Sequence, residues 1–181
     1  MAVRPPPAAL AARFRIERPF TEGATGSLYY ATDNATGKNG LLKVVYAAAQ
    51  VTPSERARLV RELEKLSSLG HAGLASPSIT GVDGDVPWLF RENIEGESLA
   101  ARLGRGPLPQ PDALAVAAQI AAALDELHRA GLLQRDLSPS HVILREGTSP
   151  PRVVLIDSGL AARIPAGALF EVTCKPSYVS P

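Results

Sequence analysis

The sequence predicts an α+β fold, in which an antiparallel β-sheet carrying one helix is followed by a more helical second half. Three observations predict it: β-type segments separated by glycine-containing turns over residues 14–46, a helix start signal at Thr52, and a long Ala/Leu-rich helix over residues 112–130. A chain of 181 residues suits one compact domain or a small two-lobed unit. We expect two halves, residues 14–92 and 93–181, joined by the polar segment ENIEGES.

The first half begins with three predicted antiparallel strands. FRIERPF, SLYYAT and GLLKVVY are rich in aromatic or aliphatic residues, and the turn sequences TEGATG and DNATGK separate them. Two further short strands are predicted at residues 78–82 and 86–91, joined by a Gly-Asp turn. The first half is therefore expected to be mainly sheet.

One helix is expected among these strands, and it starts with a capping box. Thr52 is the predicted N-cap, Pro53 suits the first helical position, and Glu55 closes the box. At about 100° per residue, Glu62 falls inside the apolar stripe, whereas Glu64 points to the opposite side. On geometry alone, Glu62 either pairs with a buried cation or reaches water at the edge of the stripe. The stripe itself consists of Leu59, Leu63, Leu66 and Leu69.

The second half contains the long helix over residues 112–130. Its composition predicts burial on most sides, and Gly131 is well placed to end it. The polar stretch QRDLSPSH then leads into a predicted strand over residues 141–145, and the β-forming segment RVVLI follows. Two aspartates, Asp136 and Asp157, are therefore expected in loops next to strands.

The composition is that of a soluble globular protein, with 45% hydrophobic residues, 20% charged residues and a net charge of +1. This balance gives no electrostatic reason to expect nucleic acid or an anionic membrane surface as a partner. No apolar segment is long enough to span a bilayer. The single Cys174 cannot form an intrachain disulfide, so we expect a cytoplasmic protein. The proline-rich start predicts that residues 1–13 are a disordered lead-in.

Several motifs stand in a fixed order: a glycine turn between strands, a strand lysine, a helix glutamate and two loop aspartates. In sequence they read RIERPFTEGATGSLYYA, LLK, RELEKLSSLGH, LFRENIEGESL, QRDLSPSH, IDSG and VTCKPSYVSP. With these motifs, residues 14–181 resemble the eukaryotic-type protein kinase family, specifically its bacterial serine/threonine branch. The resemblance implies a protein-kinase-like fold: an antiparallel β N-lobe with one helix, and the first part of a helical C-lobe.

The resemblance also implies ATP with Mg²⁺, or Mn²⁺ as an alternative, and a protein substrate or regulatory partner. Glycine turns let backbone N–H groups approach phosphates. In the family's pattern Lys43, held by Glu62, contacts the α- and β-phosphates. Asp157 holds the metal through oxygen, and Asp136 orients the attacking hydroxyl as the catalytic residue. The positions that the resemblance assigns to ATP are Gly23, Gly26, Leu28, Lys43, Glu92 and Ile94.

One departure from the family pattern concerns the metal. His141 stands where the family has a metal-binding asparagine, and an imidazole nitrogen suits transition metals better than Mg²⁺. His141 is therefore either a ligand of an altered metal or a residue that packs and hydrogen-bonds locally. The other departures are Thr21 for glycine, Leu41 for alanine, Arg91 at the gatekeeper position, Gln134 for histidine, Ser138 for lysine, Ser158 for phenylalanine and Lys175 for threonine.

These departures leave two hypotheses for function. The chain is an ATP-binding kinase domain with weak or no phosphotransfer by itself, or it is a pseudokinase that works as a scaffold or regulator. A third reading, a small-molecule phosphotransferase of the aminoglycoside-kinase type, is disfavoured, because those relatives usually lack the arginine found here as Arg135.

Two further expectations concern the C-terminal part. The family's later C-lobe helices are missing from this sequence, so the 112–130 helix is expected to expose apolar surface and to support self-association. Thr173 is a candidate phosphosite, because a phosphate there could pair with Arg135. The alternative is that Thr173 is an ordinary surface residue.

Overall fold

The computed structural model describes residues 4–23, 25–145, 147 and 150–157. The chain forms two compact units. The first contains the described residues up to 67 together with 77–93, and the second contains 68–76 together with the described residues from 94 onward.

The first unit is built on a five-stranded antiparallel sheet in the order β1-β2-β3-β5-β4. All five predicted strands are confirmed, with small shifts at their ends. They are β1 Phe14–Gly23, β2 Gly26–Asp33, β3 Asn39–Val44, β4 Ile79–Asp83 and β5 Val86–Glu92.

One face of this sheet buries an apolar cluster. The Phe14 ring packs edge-on against Trp88, with ring centroids 5.3 Å apart, and also against Phe90 at 5.1 Å. Leu42 and Val44 contribute alternate positions of β3 to the same cluster. Because successive side chains of a strand point to opposite faces, the residue between them points away from this core.

The N-terminal segment corrects the prediction of a disordered lead-in over residues 1–13. Helix α1, Ala8–Arg13, precedes the sheet, and its Leu10 is 3% exposed within the apolar cluster. Burying a leucine side chain stabilises the fold by about 1.5–3 kcal/mol. The proline-rich composition carries no information about this tertiary partner, whereas residues 1–3 lie outside the described part of the chain.

A 3₁₀ helix, Tyr46–Gln50 (the 46–50 helix), and helix α2, Pro53–Ser68, follow β3. The predicted capping box is confirmed. The Glu55 N–H donates to Thr52 Oγ1 at 3.3 Å, and Glu55 Oε2 accepts from the Thr52 N–H at 3.0 Å. The buried stripe of α2 consists of Leu59, Leu63 and Leu66.

The second unit contains a three-stranded antiparallel sheet in the order β6-β7-β8. Both predicted strands of this half are confirmed, and a short first strand is added that the sequence does not signal. The strands are β6 Glu97–Ser98, β7 Val142–Arg145 and β8 Arg152–Leu155. The helices are α3 Leu99–Leu103, α4 Gln110–Arg129 and a 3₁₀ helix, Pro139–His141.

The segment 68–76 belongs to the second unit, although the sequence places it in the first half. Its backbone extends the second sheet, because the Ala75 N–H donates to the Leu155 carbonyl and the Leu155 N–H donates to the Gly73 carbonyl, both at 2.8 Å. A pairing between segments so distant in sequence has no local signal.

Gly131 terminates helix α4 from just beyond its last turn, as predicted. Gly131 has φ +70°, its N–H donates to the His128 carbonyl at 2.9 Å, and the Leu132 N–H donates to the Leu127 carbonyl at 2.8 Å. This pair of bonds is a Schellman motif, which requires a residue that tolerates the left-handed conformation.

The prediction that α4 is buried on most sides is wrong, because burial follows a single stripe. Leu114 is 65% exposed. Gln119, which interrupts the apolar run, donates to the Pro151 carbonyl and accepts from the Val153 N–H, both at 3.0 Å. The buried stripe consists of Val116, Ala123 and Leu127. Self-association through α4 stays a prediction. No helix among the described residues has the length and apolarity needed to cross a membrane.

We expect Thr52→Ala to lower the free energy of unfolding by about 1 kcal/mol, because it removes the N-cap acceptor of α2. Urea unfolding followed by circular dichroism measures the change. Ser54→Ala, in the exposed first turn of the same helix, is the control and should have little effect. Equal losses in the two variants would contradict the capping explanation.

Candidate functional site

The glycine-rich turn between β1 and β2 contains two glycines with different roles. Gly23 and Gly26 face each other in the strand register. A Cβ at Gly26 would lie 1.9 Å from the Val44 carbonyl oxygen, so only glycine fits there. A Cβ at Gly23 would meet only the Gly26 carbonyl oxygen, at an ordinary 3.9 Å. The fold therefore requires Gly26, whereas Gly23 has room for a side chain.

Lys43 lies on β3 and is 7% exposed. In the sheet register it lies opposite Leu28 of β2 and Leu89 of β5. Its neighbours Leu42 and Val44 belong to the apolar cluster, so the alternation of the strand places Lys43 on the other face. A buried ammonium group is costly unless anionic groups compensate it. The position therefore suits a side chain that acts on negative charge.

Glu62 lies on the buried side of α2, and Glu64 on the exposed side, as the helical spacing predicts. The Glu62 side chain is 18% exposed, and its Oε1 is 3.5 Å from Nε of Arg58 one turn earlier. The carboxylate is thus largely withdrawn from water. This burial favours an ionic role in the first unit over a fully solvated one.

The end of β5 carries bulky side chains. Glu92 is exposed and forms an ion pair with Lys38, with Oε1 and Nζ 2.6 Å apart. Its carbonyl oxygen lies 3.4 Å from Nη1 of Arg91, which donates to it. Arg91 is 8% exposed and lies opposite Leu41 of β3. Ile94, partly buried, begins the next stretch of the second unit.

The loop before β7 carries Asp136 and is closed by His141. The Nδ1 atom of His141 lies 2.7 Å from the Asp136 carbonyl oxygen and 3.4 Å from its carboxylate Oδ2. Because a carbonyl only accepts, Nδ1 carries the proton in this bond. The backbone N–H of His141 also donates to the Ser138 carbonyl at 2.9 Å. This is the local hydrogen bonding that the sequence leaves as one alternative for His141.

Asp157 and Arg135 both have left-handed backbone conformations, with φ +55° and +58°. Such conformations cost on the order of 1–2 kcal/mol for residues other than glycine, and they cluster at functional sites. Hydrogen bonds tie the two loops: the Gln134 amide donates to the Ile156 carbonyl at 3.0 Å, and the Ile156 N–H donates to the His141 carbonyl at 2.9 Å. Asp136 and Asp157 are therefore held on one cross-linked backbone.

Gln134 has a structural role that the sequence does not reveal. It is 4% exposed and joins the two aspartate loops through its amide nitrogen. Among the described residues, its buried Oε1 has no hydrogen-bond partner. In the sequence, the position of a polar residue directly after two leucines could indicate a buried hydrogen bond, but it does not identify the Ile156 carbonyl as the acceptor.

The predicted residues fall into two groups. The first unit contains Gly23, Gly26, Leu28, Lys43, Glu62 and Glu92, and the second contains Ile94, Asp136, His141 and Asp157. Within the part of the chain that the structure describes, no three or more His, Cys, Asp and Glu side chains are grouped to hold a metal ion. The candidate phosphosite Thr173 lies outside the described residues.

Comparison with known proteins gives a consistent result. Residues 14–181 match the family described as protein kinase domain. Serine/threonine-protein kinase pkn2 of Myxococcus xanthus is 30% identical over 175 residues, which cover 93% of this chain and 21% of that protein. Serine/threonine-protein kinase PknA of Mycobacterium tuberculosis is 29% identical over 181 residues, covering 95% of this chain and 41% of that protein. The chain thus spans less than half the length of these curated relatives.

A solved structure supports the same relationship. The crystal structure of the PknI kinase domain of M. tuberculosis superposes with a TM-score of 0.70 at 28% sequence identity. The match covers 83% of this chain and 60% of that chain.

We expect Gly26→Ala to lower the free energy of unfolding by about 2 kcal/mol or more, because the new methyl group collides with the Val44 carbonyl. Gly23→Ala, the matched substitution three residues earlier, should change stability little. Thermal and urea unfolding of both variants measures the difference. A Gly26→Ala protein as stable as the Gly23→Ala protein would contradict the contact.

Proposed function

Because the chain belongs to the protein kinase family and has its fold, we propose that it binds ATP with a divalent metal ion and transfers phosphate to protein serine or threonine only weakly. The buried Lys43, on a strand paired with the one that leaves the glycine-rich turn, is the observation that carries nucleotide binding. The contact of His141 with Asp136 supports the weak transfer.

In the first unit, Lys43 neutralises the α- and β-phosphates, and Glu62 holds its ammonium group. Both side chains are largely withdrawn from water, where an ionic interaction is stronger than at the surface. Backbone N–H groups of the glycine-rich turn add donors for the phosphates.

In the second unit, Asp136 orients the acceptor hydroxyl and takes its proton as the new P–O bond forms and ADP leaves. His141 reduces this capacity. Its protonated Nδ1 is 3.4 Å from the Asp136 carboxylate, so it attracts the same oxygen that the hydroxyl must approach. We infer slow transfer from this competition.

The residues fit Mg²⁺ only in part. Asp157 offers carboxylate oxygens, which Mg²⁺ prefers. His141 offers an imidazole nitrogen, which suits Zn²⁺ and other transition-metal ions better than Mg²⁺. Because the Asp136 carbonyl occupies Nδ1, only Nε2 of His141 is left for a metal, and metal-binding histidines commonly bond a carbonyl in this way through their other nitrogen. We propose that nucleotide binding by this chain favours Mn²⁺ over Mg²⁺.

The end of β5 supports a modest affinity for the base. Arg91 donates a hydrogen bond to the Glu92 carbonyl, so this acceptor is already used. Arg91 and Leu41, which lie opposite each other, also fill space near the positions assigned to ATP. A ligand must compete with these interactions. We therefore expect this chain to bind ATP more weakly than a variant with a small residue in place of Leu41 or Arg91.

The alternative function is a pseudokinase that acts as a scaffold or regulator. The contact between His141 and Asp136 also supports this alternative, if the contact prevents phosphate transfer completely instead of slowing it. Transfer of radiolabelled γ-phosphate to a basic protein, lost in Asp136→Asn, supports the enzyme; nucleotide binding without transfer supports the pseudokinase. The cytoplasmic location expected from Cys174 stays a prediction.

We expect Lys43→Ala to weaken ATP binding at least tenfold, because it removes a charge-assisted hydrogen bond to phosphate. Isothermal titration calorimetry with Mg²⁺, with Mn²⁺ and without metal measures the affinity. Lys65→Ala, an exposed lysine on α2, is the control and should bind as the wild type does. Absence of binding by the wild-type protein under all three conditions would overturn the proposed nucleotide site.

We expect His141→Asn to shift the metal preference toward Mg²⁺ by about tenfold in ATP affinity, since the amide supplies a hard oxygen in place of nitrogen. The ratio of the ATP dissociation constants in Mg²⁺ and in Mn²⁺ is the quantity to compare. His128→Asn, at the exposed end of α4, controls for the loss of a histidine. An unchanged ratio would assign His141 a local structural role alone.

A further inference from the structure

The residues that precede the sheet form an ordered strap, defined here as residues 4–13. Its first part is proline-rich, and Pro7 has φ −53° and ψ 141°, close to a polyproline II conformation. Its second part is helix α1, anchored by the buried Leu10. A polyproline II segment has no internal hydrogen bonds, so its carbonyl groups are available to partners.

Two tyrosines of the first unit bind these carbonyl groups. The Tyr46 hydroxyl donates to the Pro5 carbonyl at 2.6 Å, and the Tyr29 hydroxyl donates to the Arg4 carbonyl. The Arg4 guanidinium lies 4.0 Å from the centre of the Tyr46 ring, a cation–π contact. Burial and the neighbouring Tyr29 hydroxyl raise the pKa of Tyr46, so its hydroxyl keeps the proton that it donates.

Tyr46 is also the first residue of the 46–50 helix, which contacts two functional elements. The Ala47 N–H donates to the Thr25 carbonyl, in the glycine-rich turn, at 3.2 Å. The Ala48 carbonyl accepts from Nε of Arg56 in α2, also at 3.2 Å, and Ala48 is fully buried. The strap therefore binds Tyr46, and the next residue, Ala47, binds the glycine-rich turn.

We propose that the strap is a positioning element for the nucleotide site: by holding Tyr46 it fixes the 46–50 helix, and through this helix it orders the glycine-rich turn and α2. The effect on nucleotide rests on the proposed function, whereas the mechanical coupling does not. A partner that displaced residues 4–7 would loosen the turn without touching it.

The coupling is tested by amide hydrogen exchange, read residue by residue by NMR. Tyr46→Phe keeps the ring and removes the hydroxyl, and we expect the Ala47 amide to exchange about fivefold faster. Deletion of residues 1–7, which keeps α1, should have at least the same effect. The Val45 amide, which donates to the Pro87 carbonyl at 2.9 Å, should stay protected and reports any global loss of stability.

Tyr30→Phe is the matched control. Tyr30 is the neighbour of Tyr29 on β2, and among the described residues its hydroxyl makes no hydrogen bond, while its ring contacts Phe20. This variant should leave the exchange of Ala47 unchanged. Unchanged exchange in both Tyr46→Phe and the deletion, or an equal increase at Ala47 and Val45, would overturn the positioning role.

Calorimetric titration with ATP and Mn²⁺ separates the coupling from the function. Faster exchange at Ala47 together with a severalfold loss of affinity in the deletion variant supports the complete proposal. Faster exchange with unchanged affinity overturns the link to the nucleotide site. If the wild-type protein binds no nucleotide, the proposed function fails, while the exchange result still decides whether the strap orders the turn.

Discussion

The burial of Lys43 is the constraint on which the first unit depends. A strand whose alternate residues enter the apolar core must direct the residue between them to the other face, and here that residue carries a charge that is largely removed from water. The neighbouring strand and helix are arranged around this buried charge. Gly26 allows β2 to approach the end of β3 closely, and the capping box fixes where α2 begins and thus which of its faces carries Glu62.

In the second unit, the main constraint is that Asp136 and Asp157 lie on irregular loop backbone. Left-handed conformations at Arg135 and Asp157 are unfavourable by themselves, and hydrogen bonds from Gln134, Ile156 and His141 compensate for them. The same histidine that stabilises the loop also approaches the Asp136 carboxylate. The stability of this loop therefore competes with the freedom of the Asp136 carboxylate, which is the physical basis of the weak transfer that we propose.

Local signals were sufficient for much of the fold. Thr52 and Glu55, together with Gly131, marked helix ends because capping depends on residues within one turn of each other. The strands around Lys43 and Trp88 were predictable because side-chain alternation is a local property. The exposure of Leu114 was not, because the number of sides on which a helix is covered depends on distant segments.

The sequence by itself determined the family, the order of the motifs and the residue types available for chemistry, since these are properties of the chain and its spacing. Only the tertiary structure decided how those residues are used. It ordered residues 4–13 by giving their carbonyl groups tyrosine donors, and it joined residues 73–75 to β8. It also placed the protonated nitrogen of His141 against Asp136. Each of these outcomes depends on donors and acceptors or packing partners brought together by folding, which no local pattern specifies.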